Sequence, residues 1–129
     1  MLRFLASALA ILLLCPPAGH AAQLGFHCAI TYDDTGATDR RTIRIDTNAH
    51  TVRDNKIVTM DGAANAIARN QVEFVDTGDQ QVAWGSRLRA TGATVFTIAI
   101  DLRTGRYTFV SHIMGPRAHG TCQPSETPT

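Results

Sequence analysis

Histidines, cysteines and arginines are the residues of this 129-residue chain whose types could do chemistry. Past the first 21 residues the histidines are His27, His50, His112 and His119. No two of them stand at a metal-ligand spacing such as H-x-H, and none forms H-E-x-x-H. His27 and His112 fall on the less apolar rows of two expected strands. They could meet across one sheet face, with His119 nearby, and hold a metal, but solvated, outward histidines are the simpler expectation. Asp33, Asp34 and Asp39 lack the alternating spacing and closing glutamate of a calcium loop and read as turn residues. Ser111 and His112 are neighbours, yet adjacent strand residues point to opposite faces and cannot hydrogen-bond as a catalytic pair must. Arg87 and Arg89 share the polar face of another strand, with Arg40, Arg41 and Arg44 as candidate neighbours. They form either an anion site or a solvated face balanced by Glu73 or Asp46. The surface candidates are therefore His27, His112, Arg87 and Arg89. No catalytic, metal or cofactor residue is assigned, and a non-catalytic protein is expected.

The cysteines carry the clearest signal, because the N-terminus decides their count. Arg3 is followed by an apolar run from Phe4 to Leu14, then Pro16-Pro17 and the small residues Ala18, Gly19, Ala21 and Ala22. This is the order of a secretory signal: a basic start, a short apolar segment and a small-residue cleavage site. The run is far short of the roughly 20 residues that span a bilayer. We place the signal at residues 1–21, with cleavage after Ala21 and Ala22 next best. Acylation at Cys15, as in bacterial lipoproteins, wants a small residue before the cysteine, where this chain has Leu14. Cleavage removes Cys15 and leaves Cys28 and Cys122 of the 3 cysteines. In an oxidising compartment these have one way to pair.

Cleavage also removes Arg3, one of 12 basic residues, and leaves the charge in balance against 11 acidic ones. Lys56 is the only lysine. Nucleic-acid binding, which needs clustered Lys and Arg against phosphate, is not expected, nor is stable membrane insertion.

The elements that must position these residues alternate with period two. Leu24 to Tyr32 carries Leu24, Phe26, Cys28, Ile30 and Tyr32 on one row, so Cys28 faces inward. Thr42–Asp46, Gln71–Val75, Val82–Arg89 and Thr94–Leu102 alternate in the same way. Arg106–Met114 follows less cleanly, with Tyr107, Phe109 and Ile113 on one face, and Gly115-Pro116 is expected to end it. Shorter strands are expected at Thr51–Arg53, Lys56–Met60 and Gly120–Cys122. Turns fall at Asp33–Asp39, Thr47–His50, Asp76–Asp79, Thr91-Gly92 and Arg103–Gly105. Ala63 to Ala68 is ambiguous between a helical turn and a loop. The pattern predicts an all-β domain over residues 22–123, followed by a disordered tail at 124–129. The domain is an antiparallel up-and-down meander of seven to nine short strands, closed into a barrel or packed as two sheets. One interior should gather Phe26, Ile30, Ile43, Ile45, Phe74, Trp84, Leu88, Phe96, Ile98, Ile100 and Phe109, with His27, Thr97 and Arg87 outside it. A Cys28–Cys122 bond needs Cα atoms within about 7 Å, which returns the last strand beside the first.

At Phe26-His27-Cys28, Thr42–Asp46, Thr51-Val52, Ile100–Tyr107 and Gly120-Thr121-Cys122 the chain resembles a group of small secreted proteins of Gram-negative bacteria. In that group one disulfide closes a β-domain. The resemblance covers most of residues 26–122. It implies a periplasmic or secreted location and carries no activity. A looser likeness is to the periplasmic inhibitors of C-type lysozyme, small β-barrels that plug the enzyme's cleft with a Ser- and Gly-containing loop ending in Arg-Tyr. The nearest string here, Gly85–Gly92, lacks the tyrosine and that order, so the likeness is one of architecture. These readings converge on an exported binding module for a small ligand or an envelope protein, with inhibition of a cell-wall hydrolase as the alternative.

Overall fold

A computed structural model describes residues 23–55, 57–63 and 70–125. The expected signal, residues 1–21, lies outside the described residues, as do Lys56, most of the Ala63–Ala68 segment and the last four residues of the expected tail. The described residues form nine strands. They are β1 (Gln23–Tyr32), β2 (Thr38–Asp46), β3 (Thr51–Asp54), β4 (Ile57–Met60), β5 (Gln71–Thr77), β6 (Gln81–Leu88), β7 (Thr94–Asp101), β8 (Arg106–Ser111) and β9 (Gly115–Pro124).

The strands make one sheet in the order β4-β3-β2-β1-β9-β8-β7-β6-β5. Two antiparallel meanders, β1–β4 and β5–β9, are thus joined along a single seam between β1 and β9. The sheet curls until its free edges meet. Gly62 donates its N–H to the Glu73 carbonyl at 2.9 Å, and Glu73 donates to the Ala63 carbonyl at 3.1 Å. The all-β meander is therefore a nearly closed barrel rather than two packed sheets. Among the described residues no helix is long and apolar enough to cross a membrane.

Alternation fills the barrel. Directly opposed residues of an antiparallel pair share a face, so the pairing register draws out the interior rows. Val75, Trp84, Ile98, Phe109 and Ala118 run across β5 to β9 in one row. Val82, Ile100, Tyr107, Gly120 and Ile30 make the next. Leu24, Ile45 and Val52 cover the far end. Ile43, Ile45, Val52, Val82, Ile100 and Tyr107 are essentially without solvent contact.

The register corrects several expectations. Phe74 is buried, but Val75 holds the inward place opposite Trp84, so Phe74 lies on the outer face opposite Gly85. There the Arg87 guanidinium covers its ring at 4.1 Å, which is how an outward phenylalanine is kept from water. Leu88 is half-buried at the end of β6 and does not join the core cluster. Arg106–Met114 is not one strand. β8 stops at Ser111, whose Oγ accepts the N–H groups of Ile113 and Met114 at 3.3 and 3.2 Å. Gly115, at φ +80°, then opens β9 instead of ending β8. Ile113 accordingly sits at a hairpin tip, 83% exposed, and not on the face of Tyr107 and Phe109. β9 continues to Pro124, and Ser125 donates to the Gly25 carbonyl at 2.8 Å, so ordered pairing passes residue 123.

Candidate functional site

Cys28 and Cys122 face each other directly across the β1–β9 seam and are bonded, with Cα atoms 3.9 Å apart. Cys122 gives its own N–H to the Gly105 carbonyl on the other side of its strand. The cysteines therefore occupy a non-hydrogen-bonded pair, the position where opposed Cα atoms come closest. Both sulfurs point inward because Cys28 shares the row of Phe26 and Ile30.

On the outer side of the same seam lies an open groove of about 450 Å³, lined by His27, Ala29, Arg40, Thr42, Thr121, Gln123 and Pro124, with Cys28 and Arg41 in its floor. Its shape follows from the register. Ala29 stands between Arg40 on β2 and Thr121 on β9, and His27 between Thr42 and Gln123. The methyl group of Ala29 leaves a trough between two walls of longer side chains. One wall carries Arg40 and Thr42, the other Thr121 and Gln123. Arg40, Thr42, Thr121 and Gln123 are all exposed. The groove thus offers an imidazole, a guanidinium and neutral hydrogen-bonding groups around a shallow apolar floor, groups that can orient a bound molecule.

A second polar cluster sits at one end of the inward rows, running from buried Asp54 through half-buried Arg41 to exposed Asp39. Arg41, Asp39 and Asp54 occupy the inward row of β2 and β3 that Ile43 and Ile45 fill further along. The Arg41 guanidinium is the hub: Nε donates to Asp39 Oδ2 at 3.0 Å, Nη1 to Asp54 Oδ2 at 3.2 Å and Nη2 to the Tyr32 hydroxyl at 2.8 Å. Asp54 is 8% exposed, and its Oδ1 has no hydrogen-bond partner. Desolvation raises its pKa above the ordinary 3.8, and the attraction of Arg41 only partly offsets this. Burial also pushes the phenol of Tyr107 up, with the Asp54 carboxylate adding to it. A raised native pKa means the fold prefers Asp54 protonated. Its contribution to stability is present below pH 3.8, the ordinary value, and is lost as pH rises through the native pKa. Relative to Asp54→Asn, the parent should therefore lose stability as pH rises from 3.8 towards neutrality. Urea midpoints of both proteins across that range check this; a difference that widens in the parent's favour would contradict it.

The residues singled out from sequence scatter. His27 lies in the groove. His112 sits in the β8–β9 turn, exposed, beyond Ser111, whereas His27 pairs with Gln123 at the other end of β9. Eight residues of strand separate those positions, roughly 26 Å at the usual rise, so the two histidines do not converge. His119 is bound instead to Asp33, Nδ1 to Oδ1, at 2.6 Å. Among the described residues no group of three His, Cys, Asp or Glu side chains could hold a metal ion. Arg87 is committed to Phe74, and Arg89 is exposed in the turn after β6. Arg40, Arg41 and Arg44 lie on β2, on the opposite side of the barrel from β6, and Arg41 points inward. Neither Glu73 nor Asp46 forms an ion pair with Arg87 or Arg89 among the described residues.

The sequence reading missed the groove's partners. Thr121 and Gln123 face Ala29 and His27 because β9 returns beside β1 with Cys122 directly opposite Cys28, a register carried by the disulfide and by no local pattern. Arg41 and Asp54 did leave a trace, since each is a charge two residues from an apolar side chain of its own row, Ile43 and Val52. Comparison with known protein families, with curated proteins and with solved structures finds no match.

Proposed function

We propose that this protein is an exported, non-catalytic binding module of the periplasm or the extracellular space, and that it binds through the groove above the β1–β9 seam. The single observation that carries the reading is the coincidence of groove and disulfide. The strands forming the groove floor are those the Cys28–Cys122 bond fixes to each other. A rigid floor lowers the ordering cost of binding. A disulfide suits a non-reducing compartment, and the signal-like residues 1–21 supply a route there. The partner is a small ligand or an exposed segment of an envelope protein.

Amide-shift mapping tests the site. A library of small polar fragments, screened by ¹⁵N–¹H correlation spectra, should perturb His27, Ala29, Thr42, Thr121 and Gln123 together. Hits gathered at another surface would overturn the reading.

One observation favours a second reading, inhibition of a cell-wall hydrolase. The β8–β9 hairpin tip exposes Ile113 at 83% and Met114 at 68%, an apolar plug on a tight turn. That reading requires saturable, equimolar inhibition of a purified lysozyme-type hydrolase, lost in Ile113→Ser/Met114→Ser.

A further inference from the structure

The chain is nearly neutral, yet folding sorts its charges. Arg44 on β2 stands directly opposite Arg53 on β3, both on the outer face and both exposed. Two like charges at that spacing, about 5 Å between Cβ atoms, destabilise a sheet. Arg40 lies four residues along β2 on the same face, about 13 Å from Arg44. Among the described residues none of these three guanidinium groups has a carboxylate partner. Other arginines do: Arg41 has Asp39 and Asp54, Arg103 has Asp101, and Arg117 has Asp34. Asp46, the acid nearest in sequence to Arg44, turns its Oδ1 to the N–H groups of Asn48 and Ala49 at 3.0 and 2.9 Å. A stabilising surface pairs its charges; here Arg40 lines the groove, and Arg44 and Arg53 carry the same charge onward along β2 and onto β3, past its lining.

We propose that the groove binds a linear acidic glycan, a chain bearing carboxylate or sulfate groups, with Arg40, Arg44 and Arg53 taking its anions. The inference rests on the groove being the binding site and adds the class of ligand. The trough between the β2 and β9 walls is two inter-strand spacings across, about 10 Å, wide enough for one extended chain and too narrow for a duplex. The β9 wall is uncharged. Thr121 and Gln123 offer hydroxyl and amide groups that match sugar hydroxyls, while the arginines lie only on the β2–β3 side. Guanidinium groups pair with carboxylate and sulfate in a planar fork, and the exposed site makes that pairing salt-sensitive.

The test is a titration of the purified protein with a heparin hexasaccharide at low and moderate salt. Maltohexaose serves as the neutral chain, and duplex DNA and anionic phosphatidylglycerol vesicles as other polyanions. We expect heparin to bind with shifts centred on His27, Thr42 and Thr121, and the affinity to fall as salt rises. Arg44→Ser/Arg53→Ser should weaken it about tenfold or more, the scale of losing charge-assisted hydrogen bonds. The same double variant should melt at or above the parent, because it removes a like-charge pair, and Arg103→Ser should bind as the parent does. Equal heparin affinity in the double variant overturns the proposal, as does equal binding of maltohexaose. Tighter binding of DNA or vesicles through the same residues overturns the glycan assignment. If fragments perturb the groove while heparin does not, the ligand class falls and the binding site stands; if heparin perturbs only another face, the site falls too.

Discussion

Trp84→Ala is expected to cost about 3–5 kcal/mol of folding stability, the range for removing a large aromatic from a packed core. Trp84 is 3% exposed and stands between Val75 and Ile98 in the row that crosses β5, β6 and β7. No other tryptophan exists in the chain to compensate. Its loss leaves a void in a barrel whose strands are locked by backbone pairing on both sides, so the walls can collapse only partly. Arg89→Ala, in an exposed turn, should shift stability by no more than about 0.5 kcal/mol. Urea denaturation of both variants separates the two cases. A cost below about 1 kcal/mol at Trp84 would mean that the row does not form the interior.

Cys28→Ser should cost about 2–5 kcal/mol in the chain without its first 21 residues. The bond closes a sequence separation of 94 positions, so the unfolded chain gains nearly all its freedom when the bond is lost. There is also a topological reason. The meanders β1–β4 and β5–β9 share one complete strand pairing, the β1–β9 seam, and the disulfide sits in it. Thermal melts and thiol titration check the prediction together. It fails if the non-reduced parent titrates two free thiols, or if the variant melts where the parent does.

Much of this architecture was legible in residue order. Alternation over Leu24–Tyr32 and Thr94–Leu102 gave both strand and face, since every second side chain had to leave water, and overran β7 only by Leu102. It misassigned Phe74 because Phe74 and Val75 are both apolar, and alternation cannot rank two adjacent hydrophobes. The partner strand decides, by placing Trp84 opposite one and side-chain-free Gly85 opposite the other. Gly115-Pro116 misled for a related reason: turn-forming residues mark a reversal without saying on which side of them the strand resumes. The arginine pair was within reach. A four-residue turn at Thr47–His50 sets Asp46 opposite Thr51, and counting two residues back and forward sets Arg44 opposite Arg53. The groove was only half within reach: two cysteines bonded directly across a strand pair set Ala29 opposite Thr121 and His27 opposite Gln123, but the wall of Arg40 and Thr42 was hidden because pairing with β1 begins at Thr38, inside the stretch expected as a turn.

The central claim is that binding takes place over Ala29, on the outer side of the disulfide seam. Ala29→Trp tests it most directly, since the position is exposed and a large side chain there fills the trough without entering the core. The measurement is the dissociation constant of the best groove-binding fragment for parent and variant, with a thermal melt of each. We expect the variant to melt within a few degrees of the parent and to lose the fragment. A folded Ala29→Trp protein that binds the fragment with parental affinity would contradict the claim.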